Sequence, residues 1–216
     1  MNIQDHLKYF NSVPFNHAAL LSCLRGYERP NDKIVDLVKK GKIIRLKRGL
    51  YISGDFYRNS MISKELLANN IYGPSYVSLD YALSYYGLIP EKVNELTSIT
   101  IKATKKYNTP FGSFSYIKSP GTLYKIGIES HSSNNNISFL IASPIKALCD
   151  KIIFTKKLNI TSKYDMTCYL EDDLRIDTDD LSDHKLEIIK YCIEAGYKSR
   201  PLEILYKTLA AKVKYD

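Results

Sequence analysis

Between Lys39 and Arg48 the chain holds six bases, Lys39, Lys40, Lys42, Arg45, Lys47 and Arg48, and no acid. Clustered Lys and Arg neutralise phosphates and release their counterions, which favours DNA whatever its sequence. Arg29, Asn31 and Lys33 stand just upstream, where side chains at the start of a helix can meet base edges. These nine residues are the candidate DNA-binding set. The alternative is a solvated basic surface on a module that binds protein. Asp177-Thr178-Asp179 is the one pattern with catalytic residue types, since two carboxylates at alternate strand positions can hold Mg²⁺ for nucleotidyl transfer. That chemistry also needs a Gly-Ser turn shortly upstream to hold phosphates, and none is present. Seven acids between Glu171 and Asp183, against Arg175 alone, read better as a solvated acidic loop. His6, His17, His131 and His184 show no H-E-x-x-H and no Cys/His metal spacing. No phosphate-cradling glycine loop and no G-x-S-x-G elbow occurs. No catalytic residue, metal site or cofactor is expected, and the chain is expected not to be an enzyme.

Tyrosine is abundant, with 18 in the chain, and Tyr72, Tyr76, Tyr81, Tyr85 and Tyr86 crowd one stretch. A tyrosine joins an apolar body to a polar tip, so an exposed cluster of Tyr76, Tyr81, Tyr85 and Tyr86 would suit a partner surface. Core packing between helix and sheet is the competing reading. Tyr81 and Tyr85 lie one turn apart and should be buried or exposed together.

The elements that must carry the basic run follow from local pattern. Ile3, Leu7 and Phe10 fall at helical spacing, and Pro14 breaks that helix. Asn16 can cap a second helix with Leu20, Leu21 and Leu24 inside, closed by Gly26. Pro30 opens a third, with Ile34, Leu37 and Val38 inside, Lys33, Asp36 and Lys40 outside, and Gly41 as its stop. Ile43 to Leu46, a Lys47-Arg48-Gly49 tip and Leu50 to Ile52 read as a two-stranded hairpin. Helix, helix, turn, helix and basic hairpin is the order of a winged helix-turn-helix.

Charge separates this segment from the rest. Residues 1–58 carry eleven bases and five acids, +6, of the total +8. The polar join at Ser53–Ser60 marks the boundary, giving a DNA-binding domain over 1–58 and an effector domain over 59–216. In the latter, helices are expected over Ile62–Asn69, after Ser78, from Pro144 and over Lys185–Ala195 and Pro201–Lys214. Strands are expected over Leu96–Lys102, Phe114–Tyr116, Tyr124–Ile128 and Ile137–Ala142, with Ser132–Asn136 as a loop. The expected class is α+β, with a mostly antiparallel sheet and a helical C-terminus. Hydrophobic residues at 44% and charged residues at 25% support a buried core and exclude collagen-like and largely disordered chains. No apolar run reaches the roughly 18 residues of a membrane span. The first residues lack the order of a signal peptide. Cys23, Cys149, Cys168 and Cys192, far apart in sequence, suit reduced thiols. The expected location is the cytoplasm, with no membrane partner.

Three blocks resemble a known family. Gly41 to Tyr51 resembles the wing of AbiEi-type antitoxins from bacterial abortive-infection systems. Ser75-Tyr76-Val77-Ser78-Leu79-Asp80-Tyr81-Ala82-Leu83-Ser84-Tyr85-Tyr86-Gly87-Leu88-Ile89-Pro90-Glu91 is similar to the family's second signature, and Ala142 to Asp150 to its third. The blocks keep the family's order over about residues 15–155, and nothing beyond Ile153 takes part. Where the family often has an acid before Lys146, this chain has Ile145. The resemblance implies a transcriptional autorepressor that binds inverted repeats in double-stranded DNA at its own promoter. It further implies an antitoxin that counters a nucleotidyltransferase-type toxin, in a type IV toxin–antitoxin system, without a stable complex. The competing reading is a winged-helix regulator of another operon whose second domain senses a ligand or mediates dimerisation. An enzyme delivered to nucleic acid is the weakest, for want of a complete catalytic set. The number of subunits is left open.

Overall fold

The computed structural model describes residues 2–132, 137–181 and 185–212. Residues 133–136 of the expected loop, Asp183, His184 and the last two residues of the expected final helix lie outside them. The chain is α+β: an N-terminal helical region, then a mixed sheet with helices at the C-terminal end. Three helices come first, α1 (Ile3–Phe10), α2 (His17–Cys23) and α3 (Pro30–Lys39). Local chemistry starts each of them. Asn2 and Asp5 make a capping box on α1, Asn16 Oδ1 accepts from the Ala19 amide at 2.8 Å, and Pro30 occupies the first turn of α3. The helix α2 ends at Cys23, short of the expected stop at Gly26.

The hairpin pairs β2 (Ile43–Lys47) with β3 (Leu50–Ser53), and Gly49 at its tip takes a φ of 78° that favours glycine. A third strand completes the sheet. This is β1 (Phe15–Asn16), which places Phe15 opposite Tyr51. Two residues after a proline are too short for any period, so the sequence does not reveal it.

Both faces of β3 are buried, and alternation divides them. Ile43 and Tyr51 pack on Leu7, Leu20, Leu24, Ile34 and Leu37 of the three helices. Leu46, Leu50 and Ile52 belong instead to the large core of the second half. The hairpin is thus a shared layer. The physical and charge boundaries differ, because apolar contact crosses residue 58.

The second half runs α4 (Lys64–Ile71), β4 (Ser75–Val77), α5 (Leu79–Tyr85), β5 (Leu96–Thr100), β6 (Lys105–Thr109), β7 (Gly112–Lys118), α6 (Gly121–Tyr124), β8 (Ile128–Ser132), β9 (Ser138–Ala142), α7 (Pro144–Phe154), α8 (Lys163–Cys168), α9 (Glu187–Glu194) and α10 (Ser199–Lys212). Its six strands lie in the order β6-β7-β5-β4-β9-β8. The expected mostly antiparallel sheet is mixed, since β5 with β7 and β4 with β9 are parallel. Short β4 and polar β6 give no alternation strong enough to read, and β4 mediates one of the two parallel pairings. The strand expected over Tyr124–Ile128 is a further correction. Pro120 starts the single turn of α6, Gly127 turns the chain at φ 61°, and β8 begins only at Ile128.

Candidate nucleic-acid interface

On α3 the inner stripe is Ile34 and Leu37, with Val38 half-buried. The outer surface divides in two. Asn31, Val35 and Lys39, spaced by one turn each, form the exposed row, with Val35 52% exposed. Lys33, Asp36 and Lys40 form the second row, where one carboxylate offsets part of the charge of two ammoniums. Asp36 lies 2.8 Å from the Lys40 ammonium and 3.7 Å from that of Lys33. The hydrogen bond from Lys40, aided by the charge of Lys33, holds the Asp36 carboxyl below its ordinary value. Arg29 sits at the helix start with Asp32 4.0 Å away.

The remaining bases are unneutralised. Among the described residues Lys39, Lys42, Arg45, Lys47 and Arg48 make no ion pair. They run from the end of α3 through its Gly41 turn and along the hairpin, and Lys39, Arg45 and Arg48 are exposed. Lys42 is half-buried where its backbone ties the hairpin down, its amide bonded to Leu37 and its carbonyl to Gly54. Gly54 is needed there, because a Cβ would meet the Gly41 carbonyl.

Lys47 departs from its neighbours. A register shift between Arg45 and Lys47 breaks strict alternation, so the two side chains part company. Arg45 stays in solvent. The ammonium of Lys47 donates to the Ile71 carbonyl at the end of α4, where the helix dipole is negative.

The structure gathers the tyrosines only in part. Tyr76 is fully buried, with its hydroxyl donating to Asp150 Oδ2 at 3.0 Å. It is a core residue, because it sits on central strand β4 and buried Asp150 satisfies its polar tip. Tyr81 and Tyr85 share a helix face but not an environment. Tyr81 donates to Glu65 Oε1 at 2.6 Å, while Tyr85 is 45% exposed. Tyr86 donates to the Ala142 carbonyl at 2.9 Å and lies against His131. Burial raises the hydroxyls of Tyr76, Tyr81, Tyr85 and Tyr86 above the ordinary range.

Asp150 reveals what the second and third sequence blocks do together. Lys146 and Asp150 are both wholly buried, one turn apart on α7, with Nζ 2.8 Å from Oδ1. Ser78 donates to Asp150 Oδ2 at 2.8 Å, which is why it stands at the start of α5 without capping it. Lys146 also donates to the Leu123 carbonyl of α6 at 3.0 Å. Gly127 lets α6 and β8 approach this closely, since a Cβ there would come within 2.8 Å of Lys146 Cβ. The cluster ties β4, α5, α6 and α7 together. Every residue of α7 from Pro144 to Asp150 is buried, so its Lys and Asp must pair, yet opposite charges one turn apart read in the sequence as an ordinary solvent-facing pair.

The Asp177–Asp179 pattern is not on a strand. Asp177 Oδ1 accepts from the Asp179 amide at 3.0 Å, and a 3₁₀ turn follows over Asp179–Leu181. Glu171 to Asp173 close a π-helical turn after α8 rather than begin a loop. Among the described residues no three His, Cys, Asp or Glu side chains come together as a metal cluster, and no helix is long and apolar enough to cross a membrane. The four cysteines are free thiols. Compared with protein-family models and with curated proteins, the chain matches none.

Proposed function

We propose that the chain is a DNA-binding autorepressor that also acts as the antitoxin to a nucleotidyltransferase-type toxin, without a stable complex between the two. In this reading α1 to α3 and the β1–β3–β2 sheet form a winged helix-turn-helix. The observation that carries it is the set of five unneutralised bases at the end of α3 and along the hairpin, beside the exposed row Asn31, Val35 and Lys39. An amide suits adenine and an apolar branch suits the thymine methyl, so that row reads bases. The bases of the hairpin meet phosphates. The antitoxin role rests on the resemblance of the three sequence blocks.

Arg45→Ala with Arg48→Ala tests the interface on exposed residues. Affinity for a duplex from upstream of the reading frame should fall at least about tenfold at low salt, equally on unrelated duplexes. Wild-type log K should fall with log[salt] at a slope of about −4 or steeper. Gel shifts in which the double variant equals the wild type would remove the hairpin from the interface. For the second role, co-expression with a neighbouring nucleotidyltransferase should restore growth.

One observation favours a regulator of another operon. A cavity of about 500 Å³ opens between Asp80, Ile89, Glu91, Val93, Lys151 and Leu174, large enough for a small ligand. A ligand that shifts the thermal midpoint and the DNA affinity together would favour that reading.

A further inference from the structure

Positive charge continues past the hairpin tip onto the second half. The ammonium of Lys47 lies 5.8 Å from the centre of the Tyr107 ring on β6, and that of Lys105 lies 5.1 Å from the same ring. Lys105 and Lys102 stand 5.9 and 5.5 Å from the ring of Tyr72. Neighbouring ammoniums are therefore no more than about 11 Å apart, close to the Debye length of about 8–10 Å at moderate salt. The two rings are 5.7 Å apart and both lean on buried Tyr116, so they form a fixed wall for the lysines.

No carboxylate pairs with Lys47, Lys102 or Lys105 among the described residues, whereas adjacent Lys106 meets Glu95 at 2.9 Å. Lys47 and Lys102 each give one proton to a carbonyl just at or beyond the end of α4, Ile71 and Gly73. An ammonium has three donors, so each keeps others for a ligand. Lys105 is exposed, and its ammonium has no hydrogen-bond partner among the described residues. Burial, and then the charges of Lys102 and Lys105, push Lys47 below its ordinary value. A polyanion would relieve that repulsion.

We propose that Lys102 and Lys105, continuing from Lys47 of the hairpin, extend the interface by binding the sugar–phosphate backbone of the duplex just beyond the base pairs met by the hairpin, a proposal that rests on the DNA-binding reading above. A duplex presents one charge per about 1.7 Å of axis, so a span of this size faces several phosphates where a free anion offers one. The competing explanation is that lysines on β6, an edge strand, only keep it from pairing with another sheet.

The test uses the full chain with Lys102→Ala and Lys105→Ala, both exposed positions, with the thermal midpoint as a check on folding. The probe is a duplex of about 40 base pairs from upstream of the reading frame, beside the same duplex trimmed to the segment protected by the hairpin and α3. On the long duplex the salt slope should become shallower by about 1.8, the value for two phosphates, and affinity should drop about tenfold. On the trimmed duplex, variant and wild type should bind alike. An unchanged slope on the long duplex, with wild-type binding intact, would overturn the cluster's role and leave the DNA-binding reading standing. A variant that merely aggregates more at unchanged slope overturns it equally, and makes the lysines guards of the β6 edge. A wild type with no salt-dependent binding at all would overturn both.

Discussion

Lys40, capping the end of α3, reaches back one turn to Asp36, and Lys146 reaches Asp150 from one turn away on α7, at the same 2.8 Å. The surroundings make them different objects. Water reaches the first pair, so the ammonium simply lowers the carboxyl of Asp36. The second pair is wholly buried, and loss of hydration raises the carboxyl of Asp150 although Lys146, Ser78 and Tyr76 pull it down. On α3 the pair sets how much charge the surface presents. On α7 it holds four elements in place, and neither member can be removed alone without leaving an unpaired buried charge.

That contrast is easiest to break from the buried side. Lys146→Ala should cost about 3–5 kcal/mol, the usual result of orphaning a buried charge. For a chain of this size that lowers the thermal midpoint by about 10 °C. Lys146→Met with Asp150→Leu removes both charges and should cost clearly less. A double variant as damaged as the single one would show that the network matters for its shape, not its charge balance. Next in size is the layer shared by the two halves. Ile52→Ala should cost about 2–4 kcal/mol, and one melting transition should report it, since its side chain belongs to the second half's core from a strand of the first. Two separated transitions would argue that 1–58 and 59–216 fold apart.

The exposed pair yields the smallest effect. Asp36 should titrate below 3.8 in a carboxyl-detected NMR experiment, and Lys40→Ala should move it back toward that value. Its folded value is depressed, so the pair's stabilising contribution is present above 3.8 and fades as pH falls through the lower folded value. Asp36→Asn should leave the fold intact and free Lys33 and Lys40, tightening salt-dependent DNA binding. No change in affinity would place this row of α3 away from the duplex.

Much of the N-terminal region is legible in the sequence because its determinants are local. Apolar spacing names Leu20, Ile34 and Leu37, Asn16 and Pro30 mark helix starts, and Gly41 and Gly49 supply the turns. Local pattern also groups Lys47 with Arg45 and Arg48, but the bulge sends it elsewhere. In the second half β4 and β6 are silent, and so is the buried use of Tyr76, Ser78, Lys146 and Asp150. Each of these takes its meaning from a partner distant in sequence.

By itself the sequence determined which segments wind into α1, α2 and α3, where the hairpin turns, and that 1–58 carries most of the net charge. Those outcomes depend on side-chain period, capping groups and formal charge, which act within a few residues. Tertiary structure alone decided which lysines remain exposed, which are cancelled and which are buried. Desolvation and the approach of like charges depend on what packs alongside, so Lys40 and Lys146, each one turn from an aspartate, end in opposite environments.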